Sequence, residues 1–207
     1  MTRIVDVMNP GFRAAHPDFH LADLTHKWSQ TATDGRSNAE MVSDAVLAAI
    51  AHLNNPQNQL HLLELAEMGL YRLPPNVILQ RLDGITILDL SDNLIPGEEL
   101  AKLSSVSSLQ QLYLNHNPVQ TIPADVLRLQ PNLAILGLER CQLEMLPPEV
   151  LELAELYTLK LRGNPIQTLP ENIGFCLRNL ATLDIRDTLI TDLPSSLDYL
   201  QELVVMR

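Results

Sequence analysis

The chain has 207 residues, and 14 basic against 25 acidic side chains leave a formal net charge of −11 and a pI near 4.8. That balance excludes a protein whose main task is gripping phosphate backbones, which takes clustered positive charge. Hydrophobic residues make up 46% of the chain, enough for a substantial core, yet no stretch reaches the apolar run of a membrane helix, so neither nucleic acid nor membrane is expected as a partner. The opening residues lack the apolar segment and cleavage site of a secretory signal. Two cysteines, Cys141 and Cys176, cannot make a disulfide framework. A reducing, cytoplasmic setting is therefore expected, with secretion by other machinery left open.

Leucine divides the chain: 4 of its 41 leucines lie in residues 1–59 and 37 in the 148 residues from 60 onward. The first segment carries Phe12, Phe19 and Trp28 and two stretches with helical spacing. Leu21, Leu24 and Trp28 share one face; Met41, Val42, Ala45, Val46, Ala49, Ile50 and Leu53 share another. Ser37 and Glu40 have capping-box spacing, and Asn54-Asn55-Pro56 ends the second helix. A turn over residues 31–35 links the two. Residues 1–59 are thus expected to form a helical cap.

From residue 60 one pattern recurs, with leucine or another aliphatic at offsets 1, 4, 6 and 11 and a small polar residue at offset 9. The coils start at 60, 85, 109, 133, 156 and 180, which is 23 to 25 residues apart. Such a period means a solenoid. Offsets 4 and 6 straddle one outward residue, so each coil contributes a short strand with its leucines pointing in. After most strands come Leu73-Pro74, Ile122-Pro123, Leu146-Pro147, Leu169-Pro170 and Leu193-Pro194. Three residues beyond each proline stand Val77, Val126, Val150, Ile173 and Leu197, predicted to pack beneath the returning arc. Offset 9 holds Asn93, Asn117 and Asn164, with Met68, Cys141 and Thr188 in the other coils. A buried asparagine there satisfies backbone groups of two coils; Cys and Thr do so in part, and Met68 not at all.

Residues 60–207 resemble the leucine-rich repeat proteins, because L-x-x-L-x-L-x-x-N-x-L runs through six consecutive coils. The Leu-Pro-x-x-aliphatic variant is similar to the intracellular Ras-group repeats and to repeat effectors that bacteria inject into host cells. In such effectors a helical hairpin often precedes the first coil, and residues 17–54 share that layout. The resemblance implies an α/β solenoid, a horseshoe with short parallel strands on its concave face and an N-terminal helical cap. It also implies a protein–protein interaction module, as an effector in a host cell or as the substrate-recognition arm of a ubiquitin-ligase-like effector whose catalytic part lies elsewhere.

Two constellations invite chemistry. His16, His20 and His26 are close, and His16-x-x-x-His20 suits two ligands on a helix face, but Pro17 and Asp18 between them fit a helix start better than a metal site. A nucleophilic cysteine is the second idea. Cys141 stands at offset 9, and Cys176 stands six residues after Pro170, where Leu129 and Leu153 follow their own prolines. Both are read as core positions, where a thiol is inert. No phosphate loop, nucleophile elbow or kinase signature occurs. Neither catalysis nor a metal or cofactor is expected.

The candidate site is the wall of outward residues at offsets 3, 5, 7, 8 and 10. Coils 1 and 2 place Glu64, Glu67, Asp89 and Asp92 there with no basic residue at the same offsets. Tyr113, Asn115 and His116 follow, then Glu139, Arg140, Lys160, Arg162 and Arg186 in a basic half. Strand spacing allows Glu139 to pair with Arg162 and Lys160 with Asp184. Tyr113 is the expected anchor, and Gly137 beside it leaves room for a protruding group. The partner expected is a protein with a basic or mixed-charge surface; the alternative is a solvated face whose charges keep an open sheet soluble. Leu203 and Met206 begin a seventh coil, and self-association through that end is a further expectation.

Overall fold

The computed structural model describes residues 62–74, 76–80, 82 and 84–206 of the unit His61–Arg207. The predicted helices of residues 1–59, the capping box and His16, His20 and His26 lie outside the described residues, as does the side chain of Val77.

Seven short strands form one parallel sheet in chain order: β1 (Leu62–Glu64), β2 (Ile87–Asp89), β3 (Gln111–Tyr113), β4 (Ile135–Gly137), β5 (Thr158–Lys160), β6 (Thr182–Asp184) and β7 (Val205–Met206). The register is the one the repeat dictates. Leu63, Leu88, Leu112, Leu136, Leu159, Leu183 and Met206 align as one row, so every coil presents its offset 4 at the same height. A slip of one residue would turn each of these leucines outward, and the six leucines of the row are buried. The sheet is open, and its strands line the concave face of a solenoid.

The returning arcs alternate between short α and 3-10 turns: α1 (Asn76–Leu79), a 3-10 arc at Gly97–Ser105, α2 (Ala124–Arg128), a 3-10 arc at Pro148–Glu152, α3 (Ile173–Cys176) and a 3-10 arc at Ser195–Tyr199. The Pro-x-x-aliphatic spacing has a direct cause. The amides of Val126, Val150, Ile173 and Leu197 donate to the carbonyls of Pro123, Pro147, Pro170 and Pro194 at 3.0–3.1 Å. Proline presets the φ that opens each turn, and the turn swings the third residue inward. Val126, Val150 and Ile173 are buried, whereas Leu197 is only half-buried.

Coil 2 departs from the others. Pro96 directly follows Ile95, and the arc runs for nine residues. Gly97 opens it against the next coil, where an added Cβ would stand 2.0 Å from the Thr121 carbonyl oxygen. The Glu99 carboxylate accepts from the Leu73 amide at 2.9 Å and pairs with Lys102 at 2.6 Å, while Lys102 also donates to the Leu73 carbonyl at 3.1 Å. Burial works to raise the Glu99 carboxyl, but the bonds from Lys102 and Leu73 outweigh it and hold the group below its ordinary value.

The core is mainly aliphatic, with a ladder of buried asparagines. Asn93 accepts from the Met68 and Leu70 amides and donates to the Leu65 and Leu90 carbonyls, which joins coils 1 and 2. Asn164 does the same between coils 4 and 5, accepting from Cys141 and Leu143 and donating to Leu138 and Leu161. Where cysteine replaces asparagine the ladder is poorer. Cys141 donates to the Leu114 carbonyl at 3.2 Å, but the Val119 amide, whose counterpart in the asparagine coils reaches the ladder, turns back to Asn117 of its own coil. Thr188 bonds only within its coil, to the Ile185 carbonyl. Buried Gln130, which the repeat pattern gives no reason to expect, accepts from the Leu109 amide and donates to the Val106 carbonyl. No helix among the described residues is long and apolar enough to cross a membrane.

Candidate functional site

Pairing places Glu64, Asp89, Tyr113, Gly137, Lys160 and Asp184 side by side along the concave sheet. Offset 8 lies just beyond the strands and stands out furthest, with Glu67, Asp92, His116, Arg140 and Asp187 all exposed. Its backbone is left-handed in every coil: those five residues have φ between 53° and 61°, and Gly163 has φ 72°. The sequence contains no signal for this turn, because five of the six residues carry side chains. None of the twelve candidate residues is in the core.

In coils 2 to 4 the geometry ties the face together laterally. The Ser91 amide donates to Asp89 at 2.9 Å, the Asn115 amide group donates to the Ser91 hydroxyl at 3.2 Å, and the Glu139 amide donates to Asn115 Oδ1 at 3.0 Å. His116 Nδ1 lies 2.6 Å from Asp92 Oδ1, so the Asp92 carboxylate has a partner one coil along that a reading by offsets alone does not find. The Tyr113 hydroxyl donates to Gln111 at 2.9 Å. Burial, with the nearby Asp89 carboxylate, pushes the phenol above its ordinary value, so it stays neutral and remains a donor. The expected space at Gly137 is already taken. A Cβ there would come 2.8 Å from Asn115 Oδ1 and 3.0 Å from Tyr113 Cδ1, so these two side chains lean over the glycine and form a shelf.

Coils 4 to 6 correct the expected pairs. Glu139 pairs with Lys160 at 3.8 Å rather than with Arg162, and Arg162 Nε donates to Asp187 at 2.8 Å. Asp184 is held by Arg186 of its own coil through two guanidinium nitrogens and one amide. That fork, more than the burial opposing it, keeps the Asp184 carboxyl below its usual range. The expected basic half is therefore largely neutralised from within, and Arg140 alone among its cations has no carboxylate partner among the described residues.

The cysteines divide. Cys141 is fully buried, and burial pushes its thiol up to about 12, so it is no nucleophile. Cys176 is not in the core as expected: it is half-buried, Asn172 donates to its sulfur at 3.5 Å, and the equivalent Leu129 is 45% exposed. The short α-turns swing the sixth residue after the proline outward and bury the seventh, Leu177, instead.

No protein-family model and no curated protein matches the sequence. Solved structures do. The chain is similar to a leucine-rich repeat protein of Leptospira interrogans, with 30% identity over 75% of this chain and a TM-score of 0.66. It is a leucine-rich repeat protein. The repeat protein is also similar to the ectodomain of the Arabidopsis receptor kinase HAESA, solved with an IDA peptide hormone ligand, at 28% identity over 70% of this chain and a TM-score of 0.60. A third likeness is to the plant peptide hormone receptor RGFR1 in complex with RGF2, at 28% identity over 70% of this chain and a TM-score of 0.58. The repeat protein spans 38%, 25% and 24% of the lengths of those three chains.

Proposed function

We propose that the leucine-rich repeat protein binds a partner protein through its concave face, with the acidic coils 1 and 2 receiving a cationic surface of that partner. The observation that carries this is the placement of Glu64, Glu67, Asp89 and Asp92 on one wall, next to the Tyr113 shelf, with no lysine or arginine at the same offsets in those coils. A field of one sign steers an oppositely charged partner, and a part-exposed aromatic supplies the contact that persists once it has arrived. Similarity to receptors solved with peptide ligands supports a binding role for the same fold. Partner capture by the wild-type chain, by Tyr113→Ala and by the double reversal Asp89→Lys, Asp92→Lys tests it. Both variants should lose the partner; undiminished recovery by both removes the concave face from the account.

A bacterial effector role in a host cell's cytoplasm is part of the same proposal, supported by the Leu-Pro arcs and by similarity to a Leptospira repeat protein. The ubiquitin-ligase-arm alternative could not use Cys141 as its nucleophile, since Cys141 is buried.

A further inference from the structure

We propose that the segment of the partner bound here carries both signs. A basic side chain would lie against Asp89 and Asp92, and an acidic one, about 10 Å further across the sheet, against Arg140 and Arg162. This deepens the concave-face reading and rests on it.

The cations of coils 4 to 6 are not equivalent. Lys160 answers Glu139, and Arg186 is committed to Asp184 by two nitrogens. Arg162 gives Asp187 its Nε alone. Arg140 is exposed and has no carboxylate partner among the described residues. In a chain of net charge −11, an arginine left unpaired beside three internal ion pairs is a place where a carboxylate from outside completes the pattern.

Gly163 supports the same assignment. Five other coils adopt the left-handed turn at this offset with ordinary side chains, so the conformation does not call for glycine. Space does: a Cβ at 163 would stand 2.7 Å from Arg140 Cγ and 3.5 Å from its Nε. The Arg140 stem thus lies over Gly163 in coil 5, the residue after Arg162.

Asp92 and Arg140 share offset 8 two coils apart, so two strand spacings separate them, about 10 Å. An extended or polyproline-like segment rises roughly 3.1–3.4 Å per residue, so about three residues cover that gap. The Tyr113 and Asn115 shelf over Gly137 lies between the two charged ends. The recognised pattern is a lysine or arginine and an aspartate or glutamate about three positions apart.

A phage-displayed library of random linear peptides, selected in parallel on the full chain, on Arg140→Gln, on Asp89→Asn, Asp92→Asn and on Tyr113→Ala, tests this. The wild type should enrich the two-signed pattern. Arg140→Gln should lose only the acidic preference and bind the wild-type peptides roughly fivefold to tenfold more weakly. Amidating the peptide's carboxylate should weaken binding to the wild type and leave binding to Arg140→Gln unchanged. Peptides that bind Arg140→Gln as tightly as the wild type, yet fail on Tyr113→Ala, overturn this inference and leave the concave-face reading standing. Peptides indifferent to all three variants sink both. A wild-type selection without the two-signed pattern, or without any enriched peptide, also overturns it.

Discussion

Replacing Asn164 by alanine should cost about 3–5 kcal/mol. The residue is 1% exposed, and its side chain makes four hydrogen bonds of 2.7–3.0 Å, two accepted from coil 4 amides and one donated to each of the Leu138 and Leu161 carbonyls. Each bond contributes roughly 1 kcal/mol net, and each buried group left unpaired costs about 1–3, so four lost bonds set the scale. A water admitted to the emptied site would recover part of it, which brings the figure down from the upper end. Urea unfolding followed by circular dichroism is the assay. With a slope of roughly 2 kcal/mol per molar, the midpoint should fall by about 2 M. Because Asn164 joins coils 4 and 5 and each coil touches only its neighbours, the transition should also broaden or divide at that junction. Asn179 is the control: it is exposed and makes one bond, to the Ala154 carbonyl, so Asn179→Ala should stay within about 0.5 kcal/mol of the wild type. An Asn164→Ala midpoint indistinguishable from that of the control would refute the ladder as a source of stability.

Three further outcomes follow from single sites. Under native conditions a thiol reagent should label only Cys176, with Cys141 reacting at the rate of global unfolding; two fast thiols would contradict the burial that raises Cys141. The Tyr113 phenol should titrate above its ordinary value by ultraviolet absorbance. Its contribution to stability is whole below the unfolded value near 10.0 and is lost as pH rises through the folded one, and Asp89→Asn should move the midpoint down only in part, because burial is the larger cause. Gly97→Ala should destabilise by about 2 kcal/mol or more, since the obstructing atom is backbone, whereas Gly137→Ala meets only movable side chains and should fold; equal melting temperatures for the two would be the wrong result.

How much of the site was legible depends on which residues are asked about. The alignment of Glu64, Asp89, Tyr113, Gly137 and Lys160 followed from counting offsets, because parallel pairing of identical coils leaves no freedom of register. The ion pairs did not follow. Glu139 chooses Lys160 over Arg162, and Asp184 chooses Arg186 on its own coil, because side-chain reach and the left-handed turn after each strand decide which ends meet. Gly163 was visible as the one glycine at its offset, yet its meaning needed the position of Arg140 above it.

The sequence by itself determined the solenoid, the parallel order of its coils, the aliphatic rows that face inward and the asparagine ladder. All of these are set by a period repeated six times, and a period survives without coordinates. Tertiary structure decided what the period cannot encode: the half-burial of Cys176 at the end of a short α-turn, the filling of the Gly137 space by Tyr113 and Asn115, and the neutralisation of the basic coils that leaves Arg140 alone. The reason is physical. Burial in a repeat is a property of position along the chain, whereas pairing and exposure on its surface are properties of distances between side chains that the chain brings together only on folding.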